Sequence, residues 1–224
     1  MDEPKNRAII EKIKKVTGGV RLFVSTLEQP LFLTVAIVKK DNLIEGLELH
    51  PNYLRQLQAD SELHECDARA AGILSQRDYS IGEFRRKLKL KSFGDYAIKN
   101  IVQKYKSRGL LDDKKYAAKI VNRILGEKPS GKPFLVAALR RKLIPRELAD
   151  EIVNSLFESQ DDAALAVAAL EKRWRQFGEF EVEDARRKAY NYLSRRGFSY
   201  SASKGAFCEL WQKKSGGKTE EEDY

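Results

Sequence analysis

Apolar positions along this chain change their spacing near residue 60, from strand-like runs before it to helical periodicity after it. Val20 to Thr26 and Leu31 to Val38 are rich in β-branched and aromatic residues. Leu27-Glu28-Gln29-Pro30 separates them, which predicts a β-hairpin, the only strand signal in the sequence. Upstream, Ile9, Ile10, Ile13 and Val16 have helical spacing with Lys12, Lys14 and Lys15 between them. Residues 1–17 therefore read as a short amphipathic helix or as disorder, ended by Gly18-Gly19. Leu43 to Leu49 alternates loosely around Gly46, and Pro51 suits the first turn of a helix running to about residue 59.

From Ser61 onward the elements are helices. One is expected over Asp67 to Gln76. Ser80-Ile81-Gly82-Glu83 reads as a capping box, in which the Ser80 hydroxyl accepts from the backbone at Glu83 and the Glu83 carboxylate bonds back. Ile81, Phe84 and Leu88 then form one apolar stripe. Gly94 or Asp95 opens the next helix, with Ile98, Ile101, Val102 and Tyr105 inward and Gly109 as a left-handed terminator. Asp112 is a good N-cap, and Asp113 favours the positive end of the same helix. Gly126 to Lys132 reads as a loop, followed by helices around Phe134 to Arg141 and from Pro145 through Leu156. Asp161 or Asp162 caps an Ala-rich helix through Leu170 and Trp174. After a break at 178–180, helices follow around Val182 to Leu193 and Tyr200 to Trp211.

The helical part repeats itself. Leu88-Lys89-Leu90-Lys91-Ser92-Phe93, Leu139-Arg140-Arg141-Lys142-Leu143-Ile144 and Leu193-Ser194-Arg195-Arg196-Gly197-Phe198 share one pattern: Leu, two residues, a cation, one residue, then a large apolar residue. The blocks recur after about 51 and then about 54 residues, a period typical of helical repeat arrays. The predicted fold is mainly α: an elongated array of three tandem three-helix repeats, preceded by a small N-terminal β-hairpin segment. Its parts are an N-terminal segment over 1–60, repeats over 61–109, 110–160 and 161–213, and a disordered acidic tail over 214–224. Such an array holds something long more readily than it builds a catalytic pocket.

Composition narrows the partners. Hydrophobic residues make up 42% and charged residues 33%, enough apolar content for a core beneath a heavily charged exterior. The net charge of +9 suits a nucleic acid or an acidic protein surface. Cys66 and Cys208 are isolated, and His50 and His64 lie far from Cys208, so neither a metal nor another cofactor is expected. The polar N-terminus and the lack of a long apolar run predict no signal peptide, no membrane span and a cytoplasmic protein.

No catalytic arrangement emerges, and no enzyme is expected. Gly126 to Pro133 lacks the spacing and the preceding strand of a phosphate loop. Asp112-Asp113 and Asp161-Asp162 stand at helix starts, where carboxylates cap. The strongest signal is cationic: Lys89 and Lys91, then Arg140, Arg141 and Lys142, then Arg195 and Arg196, at the ends of the three middle helices. One cation per helix would satisfy the helix dipole, a contribution of about 0.3–1 kcal/mol. Two or three, recurring in register, predict a basic binding track for phosphates or for a partner's carboxylates.

Arg77-Asp-Tyr-Ser-Ile-Gly-Glu-Phe-Arg-Arg-Lys-Leu88, Gly109-Leu-Leu-Asp-Asp-Lys-Lys-Tyr-Ala117 and Tyr192-Leu-Ser-Arg-Arg-Gly-Phe198 resemble, in order and spacing, the motifs of the RecX family of bacterial recombination regulators. The resemblance covers residues 60–213. It implies a non-enzymatic, monomeric protein that lies in the groove of the RecA–DNA filament and inhibits its recombinase, ATPase and coprotease activities. Contact with single- or double-stranded DNA is compatible with it; the alternative is a general DNA-binding helical protein acting indirectly. The sequence departs from the family's Lys-Gly-[FI] turn at Ser92 and Leu143, keeping glycine only at Gly197. A left-handed turn would strain Leu143, which leaves the geometry of the second turn open.

Overall fold

The computed structural model describes residues 7–157, 161–177 and 179–214, which fall into two compact units. The tail proposed from 214 onward lies almost wholly outside the described residues.

The first unit runs to Tyr79 and resumes over Glu83–Leu111. It begins with four strands, β1 (Ala8–Val16), β2 (Gly19–Val24), β3 (Leu31–Leu33) and β4 (Glu48–Leu49), in the order β3-β2-β1-β4 and all antiparallel. The helix or disorder expected over 1–17 is corrected to strand β1 over Ala8–Val16, while residues 1–6 lie outside the described residues. Ala8 and Ile10 face the core with Ile9 outward, as a period of two requires. A register shift between Ile10 and Lys12 then inserts a residue, and the next inward side chain is Ile13. That bulge imitates helical spacing. The hairpin exists, but its second arm stops at Leu33. The Thr34 hydroxyl accepts from the Ile37 amide at 3.4 Å and starts α1 (Val35–Lys40).

The two helices expected either side of Ser61 are one, α2 (Pro51–Leu74). His50 Nδ1 accepts from the Asn52 amide and Pro51 occupies the first turn. Leu57, Ser61, Cys66, Ala70 and Ile73 form its buried stripe. Ser61 does not break the helix; its hydroxyl accepts from the Phe32 amide at 2.8 Å and ties α2 to β3. Helices α3 (Ile81–Lys89) and α4 (Asp95–Ser107) bury Phe84 and Leu88 with Ile98, Ile101, Val102 and Tyr105. The Phe84 and Tyr105 rings meet edge-on with centroids 6.1 Å apart.

The second unit contains Ser80–Gly82 and the chain from Asp112 onward. Its helices are α5 (Asp113–Glu127), α6 (Lys132–Arg141), α7 (Arg146–Phe157), α8 (Asp162–Glu171), α9 (Val182–Arg195) and α10 (Tyr200–Lys214), with a 3₁₀ turn at Trp174–Gln176. Asp112 caps α5 by accepting from the Lys114 and Lys115 amides, and Asp161 caps α8 by accepting from the Ala163 amide. Leu135, Leu139, Ile144, Ala149 and Val153 centre one apolar cluster, and Leu170, Trp174, Leu193, Phe207 and Leu210 centre another. Each fully buried Leu side chain there stabilises by about 1.5–3 kcal/mol.

Three turns follow the three middle helices, and all three are left-handed: Ser92 at φ 65°, Leu143 at 56° and Gly197 at 81°. Leu143 therefore takes the geometry of its glycine counterpart, at a cost of about 1–2 kcal/mol for an L-residue. Its surroundings impose it. The Ile144 amide reaches the Leu139 carbonyl, as Phe198 reaches Leu193, closing a Schellman turn over a buried apolar pair. A close approach accompanies each of the last two turns. A Cβ on Gly82 would lie 2.3 Å from the Leu143 carbonyl oxygen, and one on Gly131 would lie 2.1 Å from that of Gly197.

Candidate functional site

The structure divides the seven candidate cations by their surroundings. In the first unit, Lys89 and Lys91 are exposed. Lys89 Nζ lies 2.7 Å from Asp95 Oδ1, an ion pair between two solvated groups. Such pairs contribute about 0–1 kcal/mol and leave the lysine available to a competing anion. Lys91 stands on a cleft of about 460 Å³ together with Glu28, Glu62 and Glu65.

In the second unit, Arg140 and Arg141 are exposed at the end of α6, with the Arg141 guanidinium 5.7 Å from the Phe134 ring centroid. Lys142 is half-buried, and its carbonyl accepts from the buried Ser80 hydroxyl. Ser80 is thus held in a tertiary contact as well as standing at a helix start. The Ile81 amide beside it donates to Asp113 Oδ1 at 2.8 Å, so the second aspartate of that pair serves α3.

Arg195 and Arg196 are neighbours with opposite fates. Arg195 is exposed. Arg196 turns inward and donates to the carbonyls of Lys128 and Pro129 and to the Ser130 hydroxyl, with its guanidinium 4.3 Å from the Phe134 ring centroid. Its own carbonyl accepts from the Gly131 amide at 2.9 Å. Burial, reinforced by the charge of Arg173, lowers its pKa from the ordinary guanidinium value. The group is an internal clamp on the loop 128–131, which corrects the expectation that both arginines lie on an exposed track.

That clamp occupies the Gly- and Pro-rich loop considered above as a phosphate site. The loop is also shorter than expected, because α5 continues through Gly126 to Glu127. Of the Asp161-Asp162 pair, Asp162 has its pKa raised by burial and then by the adjacent Asp161 charge. Among the described residues no cluster of His, Cys, Asp or Glu is arranged to hold a metal, and no helix is long and apolar enough to cross a membrane.

A site not foreseen lies on α9. Lys188, Tyr192 and Arg195 fall at positions i, i+4 and i+7, on one helix face. With Arg173, Phe177 and Phe180 they line a cleft of about 590 Å³. Lys188 Nζ is 2.9 Å from the Phe180 ring centroid, and the Arg173 guanidinium is 5.1 Å from that of Tyr192. Phe177 and Tyr192 meet with centroids 5.9 Å apart. The wall contains no carboxylate. The helical spacing of Lys188 and Arg195 was visible in the sequence; the arrival of Arg173 and Phe180 from another segment was not.

Comparison with known proteins places this architecture. Residues 160–207 match the family model described as RecX, third three-helix domain. The regulatory protein RecX of Prosthecochloris aestuarii is 32% identical over 152 residues, covering 68% of this chain and 97% of that protein. That of Pelodictyon phaeoclathratiforme is 31% identical over 137 residues, covering 61% and 83%. A crystal structure of regulatory protein RecX superposes with a TM-score of 0.65 at 21% identity, covering 88% of this chain and 97% of that one, which shows the same fold.

Proposed function

This chain belongs to the RecX family of regulatory proteins, and from that premise we propose that it binds the filament formed by the RecA recombinase on DNA and inhibits it. It acts by contact in the cytoplasm, without catalysis, as a monomer lying in the filament groove. Restraint of strand exchange, ATP hydrolysis and coprotease activity follows from occupying that groove.

The observation that carries this reading is the recurrence of exposed cations at the C-terminal ends of the middle helices: Lys89 in the last turn of α3 with Lys91 just beyond it, Arg140 and Arg141 in the last turn of α6, and Arg195 at the end of α9. A helix C-terminus gains only about 0.3–1 kcal/mol from a cation, and one per helix suffices. The surplus is consistent with a polyanionic or acidic partner that is itself repetitive. With Arg196 spent on the loop 128–131, the working set is these five, with Lys142 joining through its half-buried side chain.

The test is DNA-dependent ATP hydrolysis by RecA titrated with the parent protein and with R140A/R141A. The parent should inhibit, and the variant should need several-fold more protein for the same inhibition while keeping the parent's circular dichroism. Equal inhibition by both would remove these arginines from the contact; no inhibition by the parent would remove the function. A second reading, a DNA-binding protein acting indirectly on recombination, draws on the cationic and aromatic cleft of α9.

A further inference from the structure

We propose that the cleft on α9 binds one nucleotide of a single-stranded nucleic acid, with the base on Phe180 and Tyr192 and the phosphate between Arg195 and Arg173. The cleft is open to solvent and, at about 590 Å³, has room for a base, a sugar and a phosphate. Three cations, Arg173, Lys188 and Arg195, share the wall with no carboxylate, and among the described residues none of them has a carboxylate partner. Glu179 and Glu181 flank Phe180 in sequence but are absent from the wall.

Charge alone would fit any anion, and the rings decide between them. Phe180 is 41% exposed, so part of its ring is open to solvent on the cleft wall. An acidic peptide would neutralise the cations and leave that ring wet. A duplex keeps its base faces stacked inside and offers them only phosphates. A single strand presents both: a π-face for stacking, worth about 1–3 kcal/mol per base, and a phosphate for the guanidinium groups. Lys188, resting on Phe180, is displaced by the arriving base toward the phosphate and keeps its charge compensated. Arg195 reaches from the exposed end of α9, adjacent to the inward Arg196 that fixes the turn.

This goes beyond the recombinase reading and needs no RecA in the assay. Fluorescence anisotropy of a labelled oligothymidylate of roughly 20 nucleotides measures it, long enough to cover a site of this kind. The parent should bind in the micromolar range or tighter at low salt. R195A should weaken binding roughly three- to tenfold and flatten the log–log salt slope by about 0.7, one phosphate contact to a single strand. F180A should weaken it roughly fivefold or more with the slope unchanged, because stacking releases no counterions. F180W should restore affinity, and its added indole fluorescence should be quenched by the oligonucleotide.

Phe180 and Arg195 lie outside the apolar cluster of this unit, so both variants retain the fold; unchanged circular dichroism checks this. The proposal is overturned by parental affinity in both R195A and F180A, or by no binding of the parent at low salt. It is also overturned if duplex DNA of equal length, a poly-glutamate peptide or free thymidine triphosphate binds this cleft as tightly as the oligonucleotide.

Discussion

Replacing Arg196 by alanine removes a cation that the fold uses internally, and the structure sets the scale of the loss. Its guanidinium donates to the Lys128 and Pro129 carbonyls and to Ser130 Oγ. Ser130 is fully buried and Pro129 is buried, so water does not readily replace the lost donor. A hydrogen bond to a charged group contributes about 1.5–3 kcal/mol net. The guanidinium also covers Phe134 at 4.3 Å, worth about 0.5–1 kcal/mol in a half-exposed setting. Together these give a destabilisation of about 2–4 kcal/mol, and a thermal midpoint lower by roughly 5–15 °C for a chain of this size. Arg195→Ala is the control. Its side chain is exposed, and surface substitutions of this kind change stability by about 0.5 kcal/mol or less. Thermal unfolding followed by circular dichroism at 222 nm separates the two. A midpoint for R196A within a degree of the parent, or an equal fall in R195A, would refute the clamp. The double variant R195A/R196A would confound binding with stability, so contact must be probed at Arg195 alone.

Ser80→Ala removes a buried hydroxyl that donates to the Lys142 carbonyl and should destabilise by about 1–2 kcal/mol with filament binding intact below the midpoint; lost binding at an unchanged midpoint would make Ser80 a contact residue. Gly131→Ala should cost about 1–3 kcal/mol, because its Cβ would meet the Gly197 carbonyl oxygen at 2.1 Å although its own φ is an ordinary −74°. Gly126→Ala, in open space within α5, should instead stabilise by about 0.5–1 kcal/mol, and chemical denaturation reads both signs. Burial, with Glu62 and Asp67 adding, pushes the Cys66 thiol up to about 11, so it stays protonated and unreactive at pH 8 while the exposed Cys208 reacts. Ellman's reagent should find one thiol in the folded protein and two in guanidinium; two fast-reacting thiols in the folded protein would contradict that burial.

Legibility in the sequence followed the physics of each element. Caps and terminators are local, so Asp112 and Gly109 were readable from single residues, and the cap of α8 was narrowed to Asp161 or Asp162, of which Asp161 caps. Strand β1 was hidden because a bulge broke its alternation into something like a helical step. Helix α2 was read as two, whereas it runs unbroken through Ser61, whose hydroxyl serves the Phe32 amide from within the helix. Leu143 looked incompatible with a left-handed turn; the buried pair of Leu139 and Ile144 holds it there. The basic residues were visible as a repeating set, but their direction was not. Arg195 and Arg196 differ by about 100° around the helix, and only packing shows which of them faces Ser130. The α9 cleft depends on Arg173 and Phe180 meeting Lys188 and Tyr192, a tertiary fact with no short motif behind it.

The central claim is that this protein recognises a RecA filament and not merely the DNA inside it. Equilibrium binding of the labelled protein to RecA filaments, assembled on DNA with a slowly hydrolysed nucleotide, and to the same DNA bare at equal salt, tests that claim most directly. The account predicts at least tenfold tighter binding to the filament at physiological ionic strength, weakened by R140A/R141A. Equal affinity for the filament and the bare DNA would contradict it.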